Sequence, residues 1–299
     1  MNLGYACINT IMSAQNIMTN RTMRRKTFVA KGIDYVSELA LLNVKDLKTI
    51  VEWNNENGIK LFRLSSQIFP WSDEYSVEQL KDGVEISEIM FEVGQIARAE
   101  GQRLTMHPGP YNCLASPNPK VVAKTVRELN FHSKQFNMMG YDPSPYNKIN
   151  IHVGGAYGDK DSTLARFVEN FSLLNDDTKK RLVIENDDSP NEYSVKDLHI
   201  GIYSKIGIPI TFDYFHHKFN TGDLTEEEAL KLAATTWPEG ITQCCHYSES
   251  RRKEKLDESI RPQAHSDLIY EKIKTYGLEP DIVVEAKSKE QAISKRIIA

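Results

Sequence analysis

Eight short, mostly apolar runs, separated by segments long enough to hold a helix, constrain this chain more than any other feature of its sequence. They lie at 2–8, 60–65, 103–107, 148–153, 181–186, 209–213, 241–246 and 281–285, several rich in β-branched residues, and each reads as a strand. Between them run helical patterns. One spans 44–57, where Leu47, Ile50, Val51 and Trp53 form an apolar face and Gly58 gives a stop signal; others lie near 80–100, 119–139, 160–174, 194–206, 225–235 and 265–276. Strands that are apolar nearly throughout belong to a parallel sheet covered by its crossover helices. Eight such units in 299 residues favour an α/β fold, a single (β/α)8 TIM barrel occupying 1–299 as one domain. A doubly wound open sheet is the alternative, and the absence of GxGxxG after the first run removes its commonest form.

In a barrel of this type chemistry is expected at the C-terminal ends of the strands. The third run ends in LTMHPGPY (His107), the fourth in INIHVGG (His152), the fifth in LVIENDD (Glu185) and the sixth in TFDYFHH (Asp213, His216, His217). The seventh ends in CCHYS (His246), the loop beyond it carries QAHSD (His265), and the eighth ends in VVEAK (Glu285). One histidine at a strand end is ordinarily packed or hydrogen-bonded, but six of the chain's eight histidines fall in or beside such ends. Carboxylates and neutral imidazoles at one mouth suit Zn²⁺, Mn²⁺ or Fe²⁺. Eight candidates, His107, His152, Glu185, Asp213, His216, His246, His265 and Glu285, exceed what one ion needs, so two or three divalent ions are expected. His132 and His199 lie inside helical patterns and receive no role, and alternation turns His217 away from its neighbour His216.

Divalent ions about 3.5–4 Å apart suit phosphodiester hydrolysis, because they can activate water and clamp both the attacking and the leaving oxygen. Barrels with the same ligand types also isomerise or epimerise sugars, so features that would grip nucleic acid must separate the two readings. Net charge is -4, which gives no global field for DNA. A local positive edge exists in NRTMRRKTFVAK, read as the loop after the first strand, where Arg21, Arg24, Arg25, Lys26 and Lys31 have no acidic residue among them. RRKEK at 251–255 is a weaker counterpart on the same face. Tyr5, Asn9 and Tyr111 are aromatic and amide groups expected at the mouth, where they could wedge into a duplex or stack on extruded bases.

Four cysteines, Cys7, Cys113, Cys244 and Cys245, form no zinc CxxC pair and read as reduced thiols. No apolar run approaches the roughly 18 residues of a membrane span, and MNLGYACINTIM has neither a basic leader nor a small-residue cleavage site. An intracellular protein that is not secreted, makes no membrane contact and remains monomeric is the expectation.

LGYACIN, NRTMR, LFRLSSQIFP, RLTMHPGPY, IHVGGAYGDK, LVIENDD, IPITFDYFHH and HYSES followed by AHSD resemble, in order, the motifs of the ultraviolet damage endonucleases, from about Leu3 to Asp267. That family is similar in its barrel and trinuclear metal site to endonuclease IV, the abasic-site enzyme. The resemblance implies a DNA repair enzyme that nicks double-stranded DNA immediately 5′ of cyclobutane pyrimidine dimers and 6-4 photoproducts, leaving a 3′-hydroxyl and a 5′-phosphate. It implies Mn²⁺ as the metal, with Zn²⁺ or Mg²⁺ as alternatives. His107, His152 and Glu185 would hold one ion; Glu185 would bridge to a second, completed by Asp213, His246 and Glu285; His216 and His265 would serve a third. Glu185, His246 and Asp213 would carry catalysis. Tyr5, Asn9 and the basic residues Arg21, Arg24 and Arg25 would contact DNA, with Tyr111 as a probing residue. Two departures stand out: Pro110 occupies the place of a usual Gln before the probing Tyr, and Cys244 that of a usual Lys, on the inward face shared with His246.

Overall fold

The computed structural model describes residues 1–293. All eight expected strands form, shorter than the apolar runs that announce them: β1 Leu3–Ala6, β2 Leu61–Leu64, β3 Arg103–Met106, β4 Ile149–Ile151, β5 Leu182–Glu185, β6 Ile210–Thr211, β7 Cys244–Tyr247 and β8 Asp281–Val284. They pair in parallel in the order β6-β5-β4-β3-β2-β1-β8-β7. A parallel bridge between Asp213 and His246, with the His246 amide donating to the Phe212 carbonyl at 2.9 Å, joins the two ends into a barrel. The open-sheet alternative is thereby excluded.

The strand period of two sorts side chains into layers. Leu104, Met106, Ile149, Ile151, Leu182, Ile184 and Ile210 point outward into the buried layer between barrel and helices, which also holds Val44, Leu47, Ile50 and Val51 of the first long helical pattern. Inside, Ala6, Leu61, Val183, Cys244 and Val283 make an apolar plug with Trp237. Below the plug the buried Arg103 guanidinium donates to Asp281 at 3.0 Å and to the carbonyls of Thr242 and Tyr146 at 2.8 and 2.7 Å, so this buried charge is paired. Above it lie the strand ends named for chemistry.

Two helical expectations change. The helix expected at 44–57 starts much earlier, running Arg25–Glu56 across a break at Gly32, whose φ of 66° and ψ of -163° only glycine adopts readily. The basic run expected as a loop is therefore helical from Arg25 onward. The helix expected at 265–276 does not form. Glu249 Oε1 accepts the Tyr270 and Glu271 amides at 3.1 and 2.9 Å, and Glu254 accepts those of Asp267 and Leu268 at 2.9 and 3.0 Å. Amides captured by carboxylates cannot join an i to i−4 ladder. The segment instead wraps the mouth and delivers His265 to it. Among the described residues no helix is long and apolar enough to cross a membrane.

Candidate metal centre

Register brings the strand ends together. Asn150 lies opposite Val183, Glu185 opposite Thr211 and His246 opposite Val283, which places the ends of β4, β5, β7 and β8 at one level. Beyond β6, Asn186 accepts the Asp213 amide at 2.8 Å and donates to the Asp213 carbonyl at 3.1 Å, fixing Asp213 beside Glu185.

Glu185 is the hub. His107 Nε2 lies 3.2 Å and His152 Nε2 3.7 Å from its Oε2, while His246 Nδ1 lies 3.0 Å and His216 Nδ1 3.6 Å from its Oε1. Two sets of donor atoms, each within 4.8 Å of one another, share it: His107, His152 and Glu185, and Glu185, Asp213 and His246. Glu285 joins from β8, 3.4 Å from His246 Nδ1 and 3.7 Å from His265 Nδ1. All eight expected ligands thus converge on one mouth. His132 and His217 do not: His132 is buried and bonds through Nδ1 to the Glu128 carbonyl at 2.7 Å, and His217 packs on Phe212 with ring centroids 5.3 Å apart.

The cluster could hold cations. Burial, followed by the neighbouring Glu185 and Glu285, lifts the Asp213 carboxyl to about 7. Its Oδ1 accepts the Phe215 and His216 amides at 2.7 and 2.8 Å, but its buried Oδ2 has no partner among the described residues. An orphaned carboxylate oxygen aimed at imidazoles and carboxylates fits a divalent ion and is costly without one. Burial opposes charge on His152 and His216, yet Glu185 with Asp187 pushes His152 up to about 10, and Asp213 with Glu185 pushes His216 up to about 9. Burial alone would raise Glu185, but His246 and His152 hold it well below its usual value. His246 is driven down to about 3, chiefly by burial.

These shifts predict how loading of a divalent ion at this cluster would depend on pH. With His152 and His216 raised to about 10 and about 9, ligation at pH 7.5 would displace their protons, so loading is expected to release about two protons and to tighten as pH rises toward 10. Below about pH 7 Asp213 adds a further competing proton. Calorimetric Mn²⁺ titration in buffers of different ionisation enthalpy measures this, and proton uptake would contradict the ligand assignment.

Several residues at the centre escape strand-end reading. Asp187 Oδ1 sits 2.7 Å from His152 Nδ1, on the side away from Glu185. Asn150 donates to Glu185 Oε2. Lys148 is fully buried, its Nζ donating to Thr211 Oγ1 at 2.7 Å and the Cys244 carbonyl at 3.2 Å and lying 3.2 Å from His246 Nε2. Cys244 does face inward as alternation requires, but its side chain belongs to the apolar plug and to neither ligand set.

The expected DNA contacts are placed unevenly. Tyr5 faces outward from β1 and is fully buried; its hydroxyl donates to Asn54 Oδ1 at 2.9 Å and accepts from Asn9 Nδ2 at 3.0 Å. Asn9 is also fully buried and caps the Thr10–Ser13 helix by accepting the Met12 amide. Neither side chain is available to a duplex, which corrects that expectation: both brace the first loop. Arg21 is committed to Asp46 at 2.6 Å and to the carbonyls of Met18 and Asn16. Arg25 pairs with Glu74 at 2.6 Å and lies over the Phe28 and Trp71 rings, while Arg24 is exposed at the helix start. Tyr111 is 91% exposed, on the loop after β3. Beside it a cavity of about 350 Å³ is lined by His107, Pro110, Gly155, Asp187 and His216, so it leads directly to the ligand cluster.

Comparison with known proteins identifies the family. A family model described as UV-endonuclease UvdE matches residues 1–298. The UV-damage endonuclease of Schizosaccharomyces pombe is 37% identical over 97% of this chain and 49% of its own, so the chain spans about half the length of that relative. A putative UV-damage endonuclease of Acanthamoeba polyphaga mimivirus is 32% identical over 98% of this chain and 89% of its own. Among solved structures, SacUVDE superposes with a TM-score of 0.84 at 30% identity, covering 98% of this chain and 95% of that one. A D-psicose 3-epimerase from Clostridium cellulolyticum H10 superposes with a TM-score of 0.56 at 14% identity, covering 96% and 85%, a likeness of fold alone.

Proposed function

The chain belongs to the UV-endonuclease UvdE family, and on that premise we propose that it is a metal-dependent DNA repair endonuclease, nicking duplex DNA immediately 5′ of cyclobutane pyrimidine dimers and 6-4 photoproducts to leave a 3′-hydroxyl and a 5′-phosphate. The observation that carries this reading is Glu185, one buried carboxylate shared by two groups of ligand atoms at a barrel mouth. His107, His152 and Glu185 would hold one ion, Glu185, Asp213, His246 and Glu285 a second, and His216 and His265 a third. Mn²⁺ is the proposed metal, with Zn²⁺ or Mg²⁺ as alternatives, and the donor set of imidazole and carboxylate suits the first two best. Bound there, such ions supply a nucleophile at neutral pH and charge to stabilise the displaced oxygen.

The chain's own residues do the rest. The Asn186 carbonyl holds the imidazole of His216 in place through Nδ1 at 2.8 Å, and Asp187 pairs by charge with that of His152 across 2.7 Å. The apolar plug seals the floor, so a reacting phosphate is reached only from the mouth. Tyr111, preceded by the rigid Pro110, stands free beside the cavity and is proposed to enter the duplex where the damaged dinucleotide leaves the stack. Arg24, with Lys26 and Lys31 exposed on the following helical turns, would hold the DNA backbone without reading sequence.

The direct test is incubation with Mn²⁺ and a duplex containing one thymine dimer: a single nick 5′ of the lesion is expected, and no nick across Mn²⁺, Zn²⁺ and Mg²⁺ refutes the proposal. Turnover of a ketose without DNA binding would restore the sugar epimerase reading, and cleavage confined to abasic sites the endonuclease IV one. Tyr111→Ala should reduce discrimination between damaged and intact duplex about tenfold, within the roughly 1–3 kcal/mol of base stacking, while general DNA affinity changes little. Fluorescence anisotropy on both duplexes measures it; equal losses would remove Tyr111 from lesion recognition.

A further inference from the structure

Arg63 places a guanidinium inside the proposed metal centre. It lies on β2, paired across the sheet with Ala6 and Thr105, and points inward, where Nη1 donates to Glu285 Oε1. The same Glu285 faces His246 and His265 through its two oxygens, so Arg63 stands within one carboxylate of two imidazoles expected to hold ions. A fixed positive charge in that position repels the cations its neighbours are built to bind. If its purpose were to hold Glu285, a neutral donor would serve without the repulsion; Asn150 does this for Glu185.

Its remaining donors give the reason. Among the described residues the guanidinium donates to Glu285 alone, its side chain is 14% exposed, and none of its nitrogens is among the buried groups without a partner. A planar group with five N–H donors therefore spends one on Glu285 and leaves others without a protein partner but within reach of solvent above the plug. Paired donors in that plane match two oxygens of a tetrahedral phosphate, a fit a lysine ammonium lacks.

We propose that Arg63 is a catalytic residue that receives nonbridging oxygens of the scissile phosphodiester, while Glu285 holds its guanidinium at the angle this requires. The idea rests on the endonuclease reading for its substrate and on the metal-ligand assignment for its setting. It explains why the cation is tolerated: the repulsion is offset when an anion sits between Arg63 and the ions, so the charge favours the bound phosphate over the empty site. It also assigns Glu285 a second task besides ligation.

The experiment compares wild type, Arg63→Ala and Arg63→Lys by three measurements: metal content by mass spectrometry after Mn²⁺ loading, binding of inorganic phosphate to the loaded protein by calorimetry, and nicking of a thymine-dimer duplex. Arg63→Ala should keep the wild-type metal count, weaken phosphate binding about tenfold and lower kcat about 100-fold, the scale for loss of one preorganised donor. Arg63→Lys, which keeps a cation beside Glu285 and guards against misfolding of the alanine variant, should keep the metal count and fall between the two in phosphate binding and kcat. Loss of an ion in either variant would make Arg63 a positioning residue for Glu285 and overturn the proposal, as would unchanged phosphate binding. If wild type fails to nick the dimer duplex while Arg63→Ala still loses phosphate binding, the endonuclease reading falls and the phosphate site stands.

Discussion

Replacing Glu185 with alanine is expected to abolish nicking, by at least about 10³-fold, and to lower the number of ions bound. The size follows from sharing. Glu185 carries oxygens facing four imidazole nitrogens at 3.0–3.7 Å and belongs to both groups of candidate donor atoms, so under the proposed assignment its removal would take an anionic ligand from two ions at once. Each 1.36 kcal/mol lost from transition-state stabilisation is tenfold in rate, and a lost metal costs several kcal/mol. The variant also strips His152 of the carboxylate that does most to favour its protonated form, leaving Asp187 as the main brake on its deprotonation. Glu185→Gln separates ligand charge from volume: it fills the same space and can still accept from Asn150, yet should lose nearly as much activity. Mass spectrometry of bound Mn²⁺, a thermal melt to confirm folding and a dimer-duplex assay check the three parts. Near-normal rate in either folded variant would refute the assignment of the centre.

The strand ends are readable because a short, mostly apolar run that stops on His, Glu or Asp changes chemistry abruptly at a position where a barrel needs no hydrophobe. His107, His152, Glu185 and His246 each mark such a change. What stayed hidden depends on layer and rotation rather than residue type. Arg63 sits within LFRLSS and looks like any inward polar residue, and Lys148 reads as the polar start of a strand until register lifts it against His246. Tyr5 is the opposite case. Its proximity to the first loop suggested the mouth, but with Ala6 inward, parity turns its ring outward onto Phe62 and Asn54. At 265–276 the helical pattern loses to two distant carboxylates, Glu249 and Glu254, whose capture of backbone amides has no signature in a local window. Cys244 keeps the parity read from the sequence and differs in depth, one strand period below His246, where the plug needs an apolar group.

Asp187→Asn should lower affinity for the ion at His107, His152 and Glu185 by about 10- to 100-fold, the usual consequence of losing the carboxylate behind a metal-binding imidazole. The geometry is specific: Asp187 Oδ1 lies 2.7 Å from His152 Nδ1, leaving Nε2 to face Glu185 at 3.7 Å, so the carboxylate would leave Nε2 as the ligating nitrogen and make it a stronger donor. An amide can keep the contact but not the charge. Asp187 also helps hold the His152 imidazole up at about 10, so the variant should release fewer protons on loading at pH 7.5. Any loss of folding stability should be small, because the lost Asp187–His152 attraction is countered by relief of the repulsion that, after burial, Asp187 and Asp188 impose on the Glu192 carboxyl. Loss of metal with little loss of thermal stability is therefore the expected pattern, with kcat returning toward wild type at saturating Mn²⁺. Activity that excess metal fails to restore would mean that Asp187 acts on the substrate instead, from its place in the wall of the cavity next to Pro110 and His216.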